Sequence, residues 1–301
     1  MSVELEYDYA AATASMDKFS QADIDALREW SVNADKSKYI PKDLTNKQLL
    51  LFYNACYGDV EKAKTCVEKY YSYRKSASDF FDNRNVNSDE LKPLINDILE
   101  FSVLPGTSVE GYDIVFHRLH NTEPSKYEFE LGCRLLFMTI DAYLTKRGPR
   151  PGVIFLYDMR GVKLGHLTRV GLSYLRKYFQ YTQEALPVRT KGIHVLNTEP
   201  IVDKLTLLIK PFMDKKFFDI LKFHQKDENM ENFYAKIIPR SSLPSDFGGT
   251  LPDTRTLNKQ CFEELQTLEA YFKAEENQRF SVLPNKKGDK VEDSFKKLDI
   301  D

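Results

Sequence analysis

Residues 191–213 read KGIHVLNTEPIVDKLTLLIKPFM. Gly192, Ile193, His194, Val195, Leu196 and Asn197 form a short run rich in β-branched residues, the pattern of a strand. Pro200 then presets a backbone angle suited to the first turn of a helix. Beyond it Ile201, Leu205, Leu208, Ile209 and Phe212 recur at i, i+4, i+7, i+8 and i+11, which places them on one stripe of a helix that Pro211 closes or kinks. A strand that feeds directly into a helix with an apolar stripe suggests a floor and a lid.

Working outward, the same alternation continues. Residues 112–119 read as a strand, and residues 127–143 as a helix with Leu131, Leu135, Met138 and Ala142 on one stripe, broadened by Phe137, Ile140 and Tyr143. Gly148, Pro149, Pro151 and Gly152 break the chain before the apolar run 153–158, VIFLYD, which has the look of a central strand covered on both faces. Leu167, Val170, Gly171, Tyr174, Leu175, Tyr178 and Phe179 predict one long amphipathic helix. Strands alternating with helices predict an α/β fold, with a mainly parallel sheet and crossover helices. Upstream, Ser20, the Thr45–Gln48 capping box and Asp59 each open a predicted helix, making a small all-α module. The expected organisation is a helical module at 1–90, with flexible residues up to about 18 and a polar linker at 78–88. An α/β domain at 91–253, a helix at 254–278 and a disordered charged tail at 279–301 follow.

Composition narrows the function. The 43 basic and 45 acidic residues nearly cancel, so no global field favours nucleic acid. The four cysteines, Cys56, Cys66, Cys133 and Cys261, lack zinc-ligand spacing and read as reduced, buried thiols, with no metal and no cofactor expected. The N-terminal MSVELEYDYA is not a secretory signal, and no apolar run of about twenty residues predicts a span. The expectation is a cytoplasmic protein that touches membranes only peripherally.

Catalytic motifs are missing from the sequence. There is no G-x-S-x-G elbow, no Walker loop and no G-x-G-x-x-G after a strand, and the five histidines are scattered, so the chain reads as not an enzyme. What stands out is apolar side chains that can converge on one space. They are Leu135, Phe137, Met138, Ile140, Asp141 and Tyr143 on one helix, Ile154 and Leu156 on a strand, and Leu175, Tyr178, Phe179 and Leu186 on the next helix and the turn after it. Thr190, Ile193 and Val195 on the opening strand complete the set with Ile201, Leu205, Leu208, Ile209 and Phe212 on the lid. Filled by side chains, that space is an ordinary core; left open, it is a pocket. Periodicity alone favours the core. In a pocket, Thr139, Asp141, Tyr143, Ser173 and Tyr178 are placed to meet a polar head. Leu207, with Met213, Phe217 and Phe218, is a candidate membrane toe-hold, with packing on neighbouring helices as the alternative.

The GIHVLN strand and the IKPF helix end resemble those of the CRAL-TRIO (Sec14-like) lipid-binding family, nearest to its tocopherol and retinaldehyde carriers and their insect-like branch. The turn LPSDFGG at 243–249 matches the family's closing motif, with Phe247 where Tyr is usual. The N-terminal stretch LLLFYNACYGDVEKAKTCVEKYYSYR is similar to the family's helical module, but Asn54 and Cys56 stand where arginines are common. The resemblance implies a lipid pocket under a gate helix, preceded by the helical module, and so reverses the balance between core and pocket. It implies a non-enzymatic intracellular carrier of one small hydrophobic ligand: tocopherol, a retinoid, a carotenoid or a sesquiterpenoid hormone. Phosphatidylinositol transfer, or a regulatory protein-interaction module with an unknown partner, is the alternative. Arg189 and Lys191 match family positions in a rim that binds phosphoinositide head groups, a role weakened by Asn54 and by Ile220. A solvated strand entrance is the other reading of that pair.

Overall fold

The computed structural model describes residues 3–198, 201–226 and 229–282. Pro200 and most of the charged tail lie outside these residues. Helices α1 (Tyr9–Ala14), α2 (Gln21–Asn33), α3 (Asn46–Ala55), α4 (Val60–Ser76), α5 (Ser78–Phe81) and α6 (Leu91–Pro93) come first. The expected caps form: the Ser20 hydroxyl accepts from Asp23 N–H, Asp59 accepts from Lys62 N–H, and Thr45 with Gln48 closes a capping box at α3. Residues before Ser20 are not loose, because Val3, Leu5 and Tyr7 are buried and the Glu6 and Tyr7 amides donate to the Thr145 carbonyl. The stretch expected to be a linker instead anchors, since Phe80 and Phe81 are fully buried and Arg84 nearly so.

Five strands follow in the order in which they pair: β1 (Leu99–Thr107), β2 (Asp113–Leu119), β3 (Val153–Asp158), β4 (Thr190–Leu196) and β5 (Leu221–His224). β1 runs antiparallel to β2 and the other three pairings are parallel. β1 escaped the sequence reading because Pro105 and Gly106 interrupt it; an edge strand with a register irregularity between Val103 and Thr107 tolerates both. Between strands lie α7 (Phe129–Arg147), α8 (Leu164–Leu167), α9 (Leu172–Glu184), α10 (Val202–Ile209) and α11 (Lys215–Asp219). The single long helix expected across 167–179 is two, α8 and α9, with a turn through Gly171 between them. After β5 come α12 (Glu231–Lys236), α13 (Thr254–Thr267) and α14 (Glu269–Phe280). The helix expected at 254–278 is thus two, and Arg279, expected in the tail, is a buried residue of α14.

Each face of the sheet has its own core. Leu104, Ile114, Phe116, Ile154, Leu156 and Leu196 pack on Phe233, Ile238, Leu243 and Leu257. The opposite face joins a larger core that runs without interruption through α7 into the N-terminal helices. Where α4, α7 and α14 meet, that core contains charge. Arg74 on α4 pairs with Asp141 at 2.7 Å and with Glu275 at 3.0 Å, and Arg84 bridges the same two carboxylates. Arg279 adds a contact to Glu275 at 2.9 Å, and the Arg74 guanidinium also donates to the Tyr181 hydroxyl at 2.7 Å. Burial pushes the Glu275 carboxyl up, but Arg84, Arg279 and Arg74 together outweigh it and hold the group at about 2.

Candidate functional site

On the larger-core side, between the sheet and α10, the structure leaves a cavity of about 220 Å³. Its floor is set by register. His117 pairs with Tyr157 and Tyr157 with Val195, while Phe155 pairs with Ile193 and Ile193 with Leu221. All of these side chains line the cavity, with Phe101 and Leu119 extending the floor onto β1 and β2. One wall comes from α7, through Phe129, Gly132, Cys133 and Leu136. Another comes from α9, through Leu175, Tyr178, Phe179 and Thr182, and the corner before it adds Val162, Leu167 and Val170.

The roof is α10. Leu205, Leu208 and Ile209 line the cavity, while Leu207 on the opposite side is 75% exposed. No residue of α10 is buried, so the helix is held mainly by its ends. At its exit, the Gln183 side chain donates to the Phe212 carbonyl at 3.0 Å and accepts from the Asp214 amide at 2.7 Å. At its entrance Asn197 adopts a positive φ of 56°, and its side-chain amide donates to the Asp158 carboxylate at 2.7 Å. The Ile201 amide donates to the Thr198 carbonyl at 3.1 Å, so hydrogen bonds fasten the helix at both ends.

Of the residues expected to line a pocket, Leu175, Tyr178, Phe179, Ile193, Val195, Leu205, Leu208 and Ile209 do border this cavity. The others do not. Ile154 and Leu156 point to the second core, because a strand alternates and Phe155 and Tyr157 take the cavity side. Leu135, Phe137, Met138 and Ile140 face the closed core, where Phe137 stacks on Phe81 at 5.1 Å. Asp141 serves the ionic cluster, and the Tyr143 hydroxyl donates to Asp113 at 3.0 Å. Leu186 is buried in the core, Thr190 opens β4 opposite Val153, and Ile201 sits at the N-cap of α10. Phe212 lies in the turn after α10 and contributes its carbonyl to Gln183. Of the polar-head candidates only Tyr178 reaches the cavity, since the Thr139 hydroxyl donates to the Leu135 carbonyl and Ser173 is exposed. In the expected toe-hold, Met213 and Phe217 line the cavity and Phe218 packs on the core, which leaves Leu207 outward.

The expected rim also changes. Arg189 is buried; its Nε donates to the Asn54 carbonyl at 2.7 Å and its guanidinium covers the Tyr57 ring at 4.2 Å. Asn54 in turn donates to the Arg150 carbonyl at 3.0 Å, so the arginine braces α3 against the sheet rather than facing a membrane. Lys191 is half-buried and donates to the Tyr57 hydroxyl at 3.2 Å.

Ionisable groups around the cavity are held neutral by burial. His117 is pushed down to about 4, Tyr157 up to about 12, and the Cys133 thiol well above its ordinary value. Asp158 also lines the cavity, where Arg160 at 2.6 Å and Asn197 occupy its oxygens.

Residues 100–249, from β1 to the turn after α12, match the CRAL/TRIO domain. The chain belongs to the CRAL-TRIO family. Its helical start, residues 17–91, matches the Pinta-like UBA domain. The alpha-tocopherol transfer protein-like protein of Homo sapiens is 29% identical over 245 residues, spanning 78% of this chain and 68% of that one. Clavesin-1 of Xenopus laevis is 24% identical over 231 residues, spanning 76% and 68%. The crystal structure of Sfh5 overlays with a TM-score of 0.43 at 11% identity, covering 80% of this chain and 92% of that one. Among the described residues no helix is long and apolar enough to cross a membrane.

Proposed function

We propose that this CRAL-TRIO protein is a non-enzymatic carrier that encloses one small hydrophobic lipid of isoprenoid type and exchanges it at membranes. The observation that carries the reading is the apolar cavity roofed by α10, a helix with no buried residue that is fastened by hydrogen bonds at its ends. Burying about ten carbons at roughly 0.8 kcal/mol each supplies on the order of 8 kcal/mol, near micromolar affinity before ordering costs. The name of the relative, alpha-tocopherol transfer protein-like, speaks of a lipid of this class. Lifting α10 would expose Leu205, Leu208 and Ile209 to water, a cost that a bilayer surface offsets. Leu172 and Leu207, at 61% and 75% exposure, are the candidates to touch that surface first. With Arg189 buried and engaged, phosphoinositide-triggered release has little support at the expected rim.

The test is mass spectrometry of an organic extract of the purified protein, paired with binding of added isoprenoids. One stoichiometric lipid is the expected result. Repeated absence of lipid, together with no binding of added isoprenoids, sinks the carrier reading in favour of a protein-interaction module. Leu205→Asp should abolish retention while the protein remains folded by circular dichroism.

A further inference from the structure

An apolar lipid with a polar end must leave that end somewhere, and one part of the cavity has uncommitted hydrogen-bonding groups. His166 is only 2% exposed and lines the cavity. Its Nδ1 accepts from the Lys163 amide at 2.9 Å, so the proton sits on Nε2. That Nε2 is buried and has no partner among the described residues, a costly state for a donor. The ring lies edge-on to Tyr127, with centroids 5.7 Å apart, and the Tyr127 phenol, raised chiefly by burial, is near enough to Cys133 and Tyr157 to feel both. The Tyr157 and Tyr178 hydroxyls are 3.0 Å apart; one donates to the other, and the accepting hydroxyl keeps a proton to give. His117, beside Tyr157 at 5.9 Å, has Nδ1 3.3 Å from the Glu100 carbonyl, so its Nε2 carries a lone pair.

We propose that His117, Tyr127, Tyr157, His166 and Tyr178 form the head-group end of the cavity, that the head is an uncharged hydroxyl or carbonyl oxygen, and that His166 Nε2–H is the donor that fixes it. This rests on the carrier reading. The cluster contains donors and an acceptor but no fixed charge, which suits an alcohol or aldehyde and penalises a carboxylate or phosphate. Burial lowers the pKa of both histidines, which keeps them neutral at pH 7.

The test uses a matched twenty-carbon isoprenoid series: the alcohol, the aldehyde, the carboxylic acid and the parent hydrocarbon, titrated into the full chain at pH 7.4. The alcohol and aldehyde should bind about tenfold tighter than the hydrocarbon, the worth of one well-made hydrogen bond, and the acid should bind at least tenfold more weakly than the alcohol. His166→Asn keeps an oxygen that can accept from the Lys163 amide, while its shorter side chain leaves no N–H at the position of Nε2, so it should erase the preference for the alcohol over the hydrocarbon. Tyr178→Phe, remote from that amide, should halve the preference or more. Equal binding of hydrocarbon and alcohol, or an undiminished preference in His166→Asn, overturns the head-group end while the carrier reading stands. An N–H already satisfied by the Tyr127 ring gives that second result. Failure of all four compounds to bind overturns both.

Discussion

The two sides of α7 make an instructive contrast. Toward α4 and α14 the helix presents Phe137 and Asp141 to a closed region, where aromatic rings stack and two carboxylates are gripped by three arginines. Toward the sheet, Gly132, Cys133 and Leu136 border the cavity under a helix whose residues are at most half-buried. Apart from Asp141, both sides are apolar in sequence. The closed side is locked by charges that cannot be left unpaired, so the N-terminal helices and α14 are tied rigidly to α7. With that scaffold fixed elsewhere, the other side can stay unfilled.

Four measurements would break or sharpen this contrast. The largest effect belongs to the ionic cluster: Glu275→Gln leaves Arg84 and Arg279 short of a partner and should cost about 3–5 kcal/mol in urea unfolding. A loss below about 1 kcal/mol would mean that the cluster does not hold the scaffold. Next, Leu135→Ala in the closed core should cost about 2–5 kcal/mol, whereas Leu136→Ala, which only enlarges an existing cavity, should cost about 1–2 kcal/mol. Similar losses at the two positions would deny that the packing differs.

The third measurement is pH dependence. His117 and His194, both pushed down to about 4 chiefly by burial, stay neutral in the fold while their unfolded counterparts protonate near the ordinary histidine value of about 6.5. The unfolded state therefore binds more protons between these values, and stability should fall as the pH drops from about 6.5 to 4. Glu275, depressed to about 2, adds a further loss only once the pH falls below about 4.3 and on toward 2. Thermal melts across this range should show the histidine slope first, and His194→Gln should flatten it by about half. The smallest effect is at the lid. Gln183→Ala removes both hydrogen bonds at the exit of α10, and lipid release should quicken by roughly tenfold or less with stability changed by about 1 kcal/mol at most. Unchanged release would show that these bonds do not hold the lid.

Much of the fold could be read from residue patterns. The stripe of 201–212 and the strand at 192–197 predicted a floor and lid, and the caps at Ser20, Thr45 and Asp59 formed as expected. What failed has specific causes. VIFLYD is apolar at almost every position, so parity could not be assigned within it, although register with Ile193 would have selected Phe155 and Tyr157. Asp141 reads as a polar head contact because its partners, Arg74 and Arg84, lie 67 and 57 residues away in the chain. His117 and His166 were set aside as scattered, since nothing local marks two histidines that meet only across a cavity.

Local pattern was enough to place β2, β3 and β4, the helix caps and the apolar stripe of α10, because each depends on residues within a turn or two of one another. Which stripes meet to make solid core, which leave a void, and where that void keeps unpaired donors depend on distant segments brought together by the sheet and the ionic cluster. Apolar periodicity measures the wish to leave water. It carries no information about whether the space then entered is full.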